Sequence, residues 1–95
     1  MDQPMLIKKI KINCPMCGES HLVELRSITT TNSYHNEQIT YQEHFLRCTN
    51  VAKKYQDFVT GNILDNNVAR CKNAYNKKHN LPCVKLKPEL QQLLV

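Results

Sequence analysis

The sequence has no tryptophan, only two glycines and only two phenylalanines in 95 residues. So few large apolar side chains leave a thin core, and chains this short often depend on a metal ion or a disulfide for their stability. The composition therefore predicts one small domain in which a cross-link contributes much of the stability.

A long apolar run is also missing. The N-terminal stretch "MDQPMLIKKIKI" is broken by lysines and is too short for a signal peptide or a membrane span. We therefore expect a cytoplasmic protein that does not enter a membrane, and whose five cysteines, an odd number, stay reduced. Metal binding or simple burial then explains the cysteines better than disulfides do.

Alternating β-branched and polar residues predict strands in three segments, residues 5–12, 21–30 and 38–48, of which the last two form a β-hairpin. The stretch "NVAKKYQDF" is interpreted as a short helical turn, with three side chains available for burial: Val51, Tyr55 and Phe58.

Residues 62–79 predict the longest helix, because apolar side chains recur there at helical spacing. The predicted core-facing stripe consists of Leu64, Val68, Cys71 and Tyr75. Asn80 suits the position just beyond the helix end, and Pro82 suits a stop signal. Pro88 precedes "ELQQLLV", which predicts a short helical tail.

These elements predict an α+β fold, a small zinc-ribbon-like antiparallel hairpin or sheet followed by one long helix and a short helical tail. The whole chain, residues 1–95, is expected to be one domain. Its parts are a zinc-knuckle β region at 5–60, the helix at 61–80 and the tail at 81–95.

The strongest local motif is "INCPMCGES". Cys14 and Cys17 lie two residues apart and Gly18 allows a tight turn, the usual form of a zinc knuckle. Cys48, at the end of the second hairpin strand, is the expected third ligand. Structural zinc is nearly always four-coordinate, but the position where a second knuckle cysteine would fall is Val51.

The sequence therefore leaves the fourth ligand open. We take Cys71 as the candidate, with Cys83 and His44 as alternatives, and His21 and His35 as weaker ones. Cys71 also lies on the predicted apolar stripe, where a packed core cysteine is the commoner interpretation. If a helix or tail residue completes the site, the metal fastens the helix or tail to the hairpin.

Little in the sequence supports an enzyme. Zinc deaminases require H-x-E before P-C-x-x-C, and no H-x-E precedes "CPMC" here. A chain with so small a core also has little material with which to shape a cleft around an activated thiol.

The formal charge of +5 favours acidic partners, although the cations are spread along the chain. Phosphate contacts, if the chain binds nucleic acid, are expected from Arg26 and from two lysine clusters: Lys8, Lys9, Lys11, Lys53 and Lys54. Exposed stacking aromatics are few, so nucleic-acid binding is the second choice.

The motifs together resemble the N-terminal region of YgiT/MqsA-type zinc-finger antitoxins and related antitoxin-like regulators. The resemblance covers roughly residues 12–81 and comprises the "CPMCG" turn, a hairpin ending in "FLRC" and the helix. The helix residues that match are Asn67, Ala74, Tyr75, His79 and Leu81. In those families a four-cysteine ribbon packs on a hairpin and the helix leads into a helix-turn-helix domain.

Two departures from that pattern shape the expected function. Val51 replaces the fourth cysteine, and the sequence supplies at most the first turns of a DNA-reading domain. The resemblance therefore implies the partner-binding half: a zinc-binding, non-enzymatic inhibitor of a protein such as a toxin or a host nuclease effector, for example an anti-CRISPR protein. Also considered are a zinc-ribbon transcriptional regulator and a homodimer formed through the C-terminal tail, in which Leu90, Leu93 and Leu94 pack between copies.

Overall fold

The computed structural model describes residues 4–49 and 56–89. The strands are β1 (Met5–Asn13), β2 (Ser20–Tyr34), β3 (Glu37–Cys48) and β4 (Gln56–Phe58), and the helix α1 is Gly61–Lys78. The strands form one antiparallel sheet in the order β1-β2-β3-β4. The predicted α+β class is confirmed.

The hairpin of β2 and β3 is longer than the sequence pattern suggested. Its turn contains only His35 and Asn36, both with positive φ, 49° and 63°. Two consecutive residues in this left-handed region match the twist of the flanking strands. The pairing therefore runs unbroken from Glu24 opposite Arg47 to Tyr34 opposite Glu37.

The hairpin buries one face in the half near its open end and the opposite face in the half near its turn. Near the open end, Leu46 and Cys48 join the main core, whereas near the turn Ile39 and Tyr41 form a second cluster. Even-numbered and odd-numbered residues of a regular strand point to opposite faces. The two cores therefore lie on opposite sides of the same ribbon.

Helix α1 reaches both cores by crossing the edge of β3. Its first turn places Ile63 in the main core, and two turns later Cys71 lies in the second cluster. At the crossing point the Asn67 side chain accepts a hydrogen bond from the His44 N–H at 2.8 Å and donates one to the His44 carbonyl at 2.9 Å. Asn67 thus occupies the place of a neighbouring strand at this edge.

The predicted core-facing stripe of α1 is wrong in part. Leu64 and Val68 are 53% and 63% exposed, and the residues before them, Ile63 and Asn67, are buried instead. One residue corresponds to a rotation of about 100° around a helix. The mismatch is confined to the first half of the helix, where Ile63 and Asn67 take the buried side and Asn67 lies against the β3 edge, while Cys71 of the predicted stripe stays buried.

The helix ends as predicted at a left-handed Asn80, with φ of 58°. The Leu81 N–H donates to the Asn76 carbonyl at 2.7 Å and the Asn80 N–H donates to the Lys77 carbonyl at 3.4 Å, the two bonds of a Schellman motif. At the other end, the Thr60 hydroxyl accepts from the Ile63 N–H at 3.3 Å.

One other prediction needs correction, and one is not tested. Residues 56–58 form a strand against the end of β3, so the segment expected to be a helical turn is in part strand, and Val51 and Tyr55 lie outside the described residues. The helical tail predicted from Pro88 onward falls almost entirely on residues 90–95, with Leu90, Leu93 and Leu94, which are outside the described part, so it stays a prediction; residues 81–88 before it carry no helix and lie along α1. Within the described part, no helix combines the length and apolarity needed to cross a membrane.

Aromatic rings join the hairpin turn to the end of the helix. Tyr34 packs edge-on against Tyr75, with ring centroids 5.1 Å apart, and Tyr75 lies 4.4 Å from His79. The His79 ring also meets the Glu37 carboxylate at 3.0 Å. This hydrogen bond, helped by the charge of Lys78, holds the pKa of Glu37 below its ordinary value.

The edge contact of Asn67 yields a stability prediction. Asn67→Ala leaves a half-buried N–H and a carbonyl of His44 without their partner, which should lower the free energy of unfolding by about 2–3 kcal/mol. Urea denaturation followed by circular dichroism measures the change. Asn73→Ala is the matched control, since the hydrogen bonds that Asn73 makes beyond the helix in the described residues go to residues 83 and 84 and not to the sheet. An equal loss in both variants would contradict this role for Asn67.

Candidate metal centre

The turn between β1 and β2 brings Cys14 and Cys17 together. The Gly18 N–H donates to the Cys14 carbonyl at 2.9 Å, and the Cys14 N–H donates to the Glu19 carbonyl at 3.0 Å. Gly18 has φ of +77°, a conformation that costs glycine little and strains other residues. The sequence "CPMCG" thus forms the tight knuckle that the spacing predicted.

Two further side chains meet this turn from the sheet. His21 stands at the start of β2, opposite Ile12 of β1, and Cys48 ends β3. The ligand atoms of the four side chains, Cys14, Cys17, His21 and Cys48, all lie within 4.8 Å of one another. These residues could hold a metal ion.

The His21 ring is oriented as a metal ligand would be. Its Nδ1 lies 2.8 Å from the Leu22 carbonyl, which can only accept, so Nδ1 carries the proton. The other nitrogen, Nε2, faces the Cys48 sulfur at 3.5 Å. A backbone carbonyl that fixes the tautomer in this way is the usual outer-shell partner of a ligating histidine.

The protonation of His21 reflects the same surroundings. Burial lowers the pKa of His21, but the hydrogen bond to the Leu22 carbonyl and those with the Cys14 and Cys17 sulfurs outweigh it, so the pKa is raised above its ordinary value. An incoming metal ion would take the place of protons on the imidazole and on the thiols, and its binding would weaken in acid.

Three sulfurs and one imidazole nitrogen form a familiar tetrahedral donor set. With metal–sulfur distances of roughly 2.3 Å, tetrahedral geometry separates the sulfurs by roughly 3.8 Å. The observed upper limit of 4.8 Å is close to this, so small side-chain adjustments would complete the coordination. Cys14 and Cys48 are buried in the main core, which places the site against Ile12, Val23 and Ile63.

The fourth ligand proposed from the sequence, Cys71, is not part of this group. It lies in the second core with Ile39 and Tyr41, on the other face of the hairpin. Burial, with the charge of Glu43, raises the pKa of the Cys71 thiol. Cys71 is therefore a packing residue. His21 occupies the fourth position among the potential ligands, for which Cys71 was proposed.

Cys83, His44 and His35 also have contacts away from the knuckle. The exposed Cys83 thiol points to the Asn73 carbonyl at 3.8 Å, and His44 Nδ1 meets the Glu89 carboxylate at 2.9 Å. His35 lies in the aromatic cluster at the hairpin turn. None of the three belongs to the group of potential ligands in the described residues.

The sequence did hold a signal for His21, which is the spacing C-x2-C-x3-H. That spacing alone does not say whether the histidine points toward the cysteines or away from them. Only the pairing of β1 with β2 shows that it turns back toward the knuckle.

Three of the five predicted phosphate-binding lysines lie in the part of the chain that the structure describes. Lys8, Lys9 and Lys11 are exposed on β1, while Lys53 and Lys54 lie outside the described residues. Across the outer face of the sheet, cations and carboxylates alternate in one row of paired positions: Lys9, Glu24, Arg47 and Asp57. Arg47 binds Asp57 through two hydrogen bonds, and Arg26 binds Glu24.

No family model, curated protein or solved structure matches this chain. The resemblance to YgiT/MqsA-type antitoxins therefore stays a prediction.

Substitution separates the ligands from the remaining cysteines. We expect His21→Ala and Cys48→Ser to reduce zinc content well below one equivalent, because each removes one of four donors. Cys71→Ser should keep full zinc content, since Cys71 lies in the other core. Native mass spectrometry of the purified proteins measures the ratio. Zinc loss in Cys71→Ser with retention in His21→Ala would restore the sequence-based ligand set.

Alkylation gives a second test. With zinc bound, iodoacetamide at neutral pH should label Cys83 first, because Cys83 is exposed whereas the other four thiols are metal-bound or buried. The raised pKa of Cys71 keeps it as the unreactive thiol. A chelator should release Cys14, Cys17 and Cys48 to labelling. Peptide mass spectrometry after timed quenching identifies the sites, and early modification of Cys71 would argue against its assignment as a packing residue.

Proposed function

We propose that this chain is a zinc-stabilised, non-enzymatic protein-binding module that inhibits a partner protein, either as an antitoxin or as a phage or mobile-element inhibitor such as an anti-CRISPR protein. The observation that carries the zinc-stabilised part of the proposal is the four-residue group of three cysteines and one histidine at the junction of three strands, and the exposed edge of β1 supports the protein-binding part.

A structural role for the metal is supported by the number of ligands. Four protein donors fill a tetrahedral coordination shell and leave no position for the reactive water that catalytic zinc requires. The site would also join the β1–β2 turn, the start of β2 and the end of β3. In a chain with a thin core, such a link contributes directly to folding.

Zinc is the metal that best fits these donors. Soft thiolate ligands select against magnesium and calcium, and a tetrahedral site with three sulfurs and one nitrogen is typical of structural zinc. The expected cytoplasmic location of the chain agrees with this choice, because thiolates persist where thiols stay reduced.

A protein partner is favoured by the surface of β1. Met5, Leu6 and Ile7 are consecutive and exposed by 70%, 46% and 44%. β1 is also an edge strand, and in the part of the chain that the structure describes no strand pairs with its outer side. An open edge with apolar side chains accepts an extended segment of another protein as an additional strand.

Nucleic-acid binding is the second candidate, on the strength of Lys8, Lys9 and Lys11 on the same strand. The alternating row on the outer face argues against it, because Lys9 lies opposite Glu24 and Arg47 is bound to Asp57. Arg47, already paired with a carboxylate, would release few counterions on binding phosphate, so the lysines of β1 would have to supply the affinity.

Affinity capture from a host lysate, followed by reconstitution with the purified captured protein, tests the proposal. We expect one-to-one binding, measured by calorimetry, that is lost when Met5, Leu6 and Ile7 are all replaced by serine. Leu64→Ser/Val68→Ser is the matched control, since it removes exposed apolar side chains from α1 and should leave binding unchanged. Zinc content of both variants should remain at one equivalent.

The nucleic-acid alternative makes an opposite prediction. Three lysines on phosphates give a salt slope of about −2.7, so affinity would fall about 40-fold between 50 and 200 mM salt. Gel shift with double-stranded and single-stranded DNA measures this. Salt-sensitive DNA binding that Lys8→Ala/Lys9→Ala/Lys11→Ala abolishes, without any protein captured, would overturn the inhibitor proposal.

A further inference from the structure

Residues 82–89 lie extended along α1 and are held by a row of asparagines. We name these residues the strap, and the asparagine row consists of Asn62, Asn66, Asn73 and Asn76. Each of the four donates its side-chain N–H to a strap carbonyl, at 2.7 to 3.0 Å; the acceptors, in the same order, are Pro88, Lys87, Val84 and Pro82.

Two members of the row recognise the strap as a neighbouring β-strand would. Asn66 accepts from the Lys87 N–H at 2.8 Å while donating to the carbonyl of the same residue. Asn73 does the same with Val84, accepting from its N–H at 2.8 Å. A primary amide offers one acceptor and two donors, so one side chain satisfies both main-chain groups of a residue.

The strap contributes few side chains to this contact. Residues 82–88 are all exposed, including Val84 and Leu86 at 41% and 40%, although the Lys87 ammonium also meets Asp65 at 2.9 Å. The hydrogen bonds to the row depend on the main chain and are independent of the strap's side-chain sequence. A segment of different sequence could therefore make the same bonds.

One side chain of the strap is recognised specifically. The half-buried Glu89 carboxylate binds the Arg70 guanidinium and His44 Nδ1, with the histidine at 2.9 Å. Burial raises the pKa of Glu89, but the hydrogen bonds from His44 and Arg70 outweigh it and the pKa is lowered. Arg70 and His44 thus form a receptor for one carboxylate at the end of the row.

We propose that the asparagine row, with Arg70 and His44, is a second binding site for an extended acidic segment of a partner protein, and that the strap is the segment of this chain that fills it. The partner would supply main-chain N–H and C=O groups to Asn66 and Asn73 and a carboxylate to Arg70. The inference rests on the proposed protein-binding role, but the site is separate from both the metal centre and the β1 edge.

Exchange requires the strap to open first. A tethered segment competes at an effective concentration in the millimolar range, so a partner must contribute contacts that the exposed strap side chains do not make. Weakening the strap without touching the row should therefore raise the apparent affinity for an added segment.

Lys87→Pro weakens the strap selectively, because proline removes the N–H that donates to Asn66. Lys85→Pro is the matched control: it removes one lysine as well, but the Lys85 N–H makes no hydrogen bond in the described residues. Lys87→Pro also removes the Lys87–Asp65 ion pair, which is exposed and contributes little, so the loss of one main-chain hydrogen bond sets the effect, about fivefold in the opening equilibrium.

The probe is a synthetic peptide of residues 82–89, capped at both ends and carrying serine for Cys83, titrated into the full-length, isotope-labelled protein. NMR follows the side-chain amides of the asparagine row. We expect shifts in all four amides, with an apparent affinity about fivefold higher for Lys87→Pro than for Lys85→Pro. A peptide carrying Glu89→Gln should bind more weakly.

Main-chain recognition is tested by methylating the peptide nitrogens of Val84 and Lys87, which should weaken binding by at least about tenfold. Equal binding of the methylated peptide, or no binding to Lys87→Pro at millimolar peptide, would overturn the proposal. Concentration-dependent dimers of Lys87→Pro would assign the site to a second copy and also overturn it. Loss of this site with intact binding at β1 would leave the proposed function standing.

Discussion

The contact between Asn67 and His44 determines where the helix can lie. A helix that packs on one face of a sheet needs an apolar stripe, but α1 has a mostly polar sequence and crosses the strand edge instead. The crossing is possible because one amide side chain satisfies both main-chain groups exposed at that edge. Arg70 steadies this amide by donating to its oxygen at 2.8 Å. With the crossing fixed, the two halves of the helix are directed to opposite faces of the hairpin.

The two cores that result are small, and each is closed at one end of the molecule. At the open end of the hairpin, the four potential metal ligands adjoin Ile12, Val23, Leu46 and Ile63. At the turn, packed aromatic rings and the contact between His79 and Glu37 join the helix end to the sheet. Between them, polar contacts of α1 with β3 and with the strap replace the continuous apolar core that this composition cannot supply.

Local signals in the sequence predicted the local features of the fold. Alternation indicated the hairpin, the knuckle spacing indicated the turn at Cys14, and Asn80 marked the helix end.

The prediction of the core-facing stripe was wrong in part because it assumes that a helix buries its most apolar side, whereas here Asn67 lies against the strand edge. Cys71 was misassigned for a related reason: alternation is local, and nothing in the sequence shows that the two halves of β3 bury opposite faces. The course of residues 82–88 along α1 was not predicted, because their main chain is held by asparagines six to twenty-six positions earlier, a pairing that no local pattern reveals.

The row of alternating charges on the sheet has a consequence for the electric field around the molecule. Because Lys9, Glu24, Arg47 and Asp57 largely cancel one another, the sheet contributes little to the net charge. Residues 61–89 contain six lysines and arginines against two carboxylates, so most of the positive charge lies on the helix and strap. An acidic molecule approaching by diffusion would thus be drawn to the helical side first, and its arrival would slow as salt rises. The distribution of charge therefore gives this small protein one side at which acidic molecules arrive preferentially.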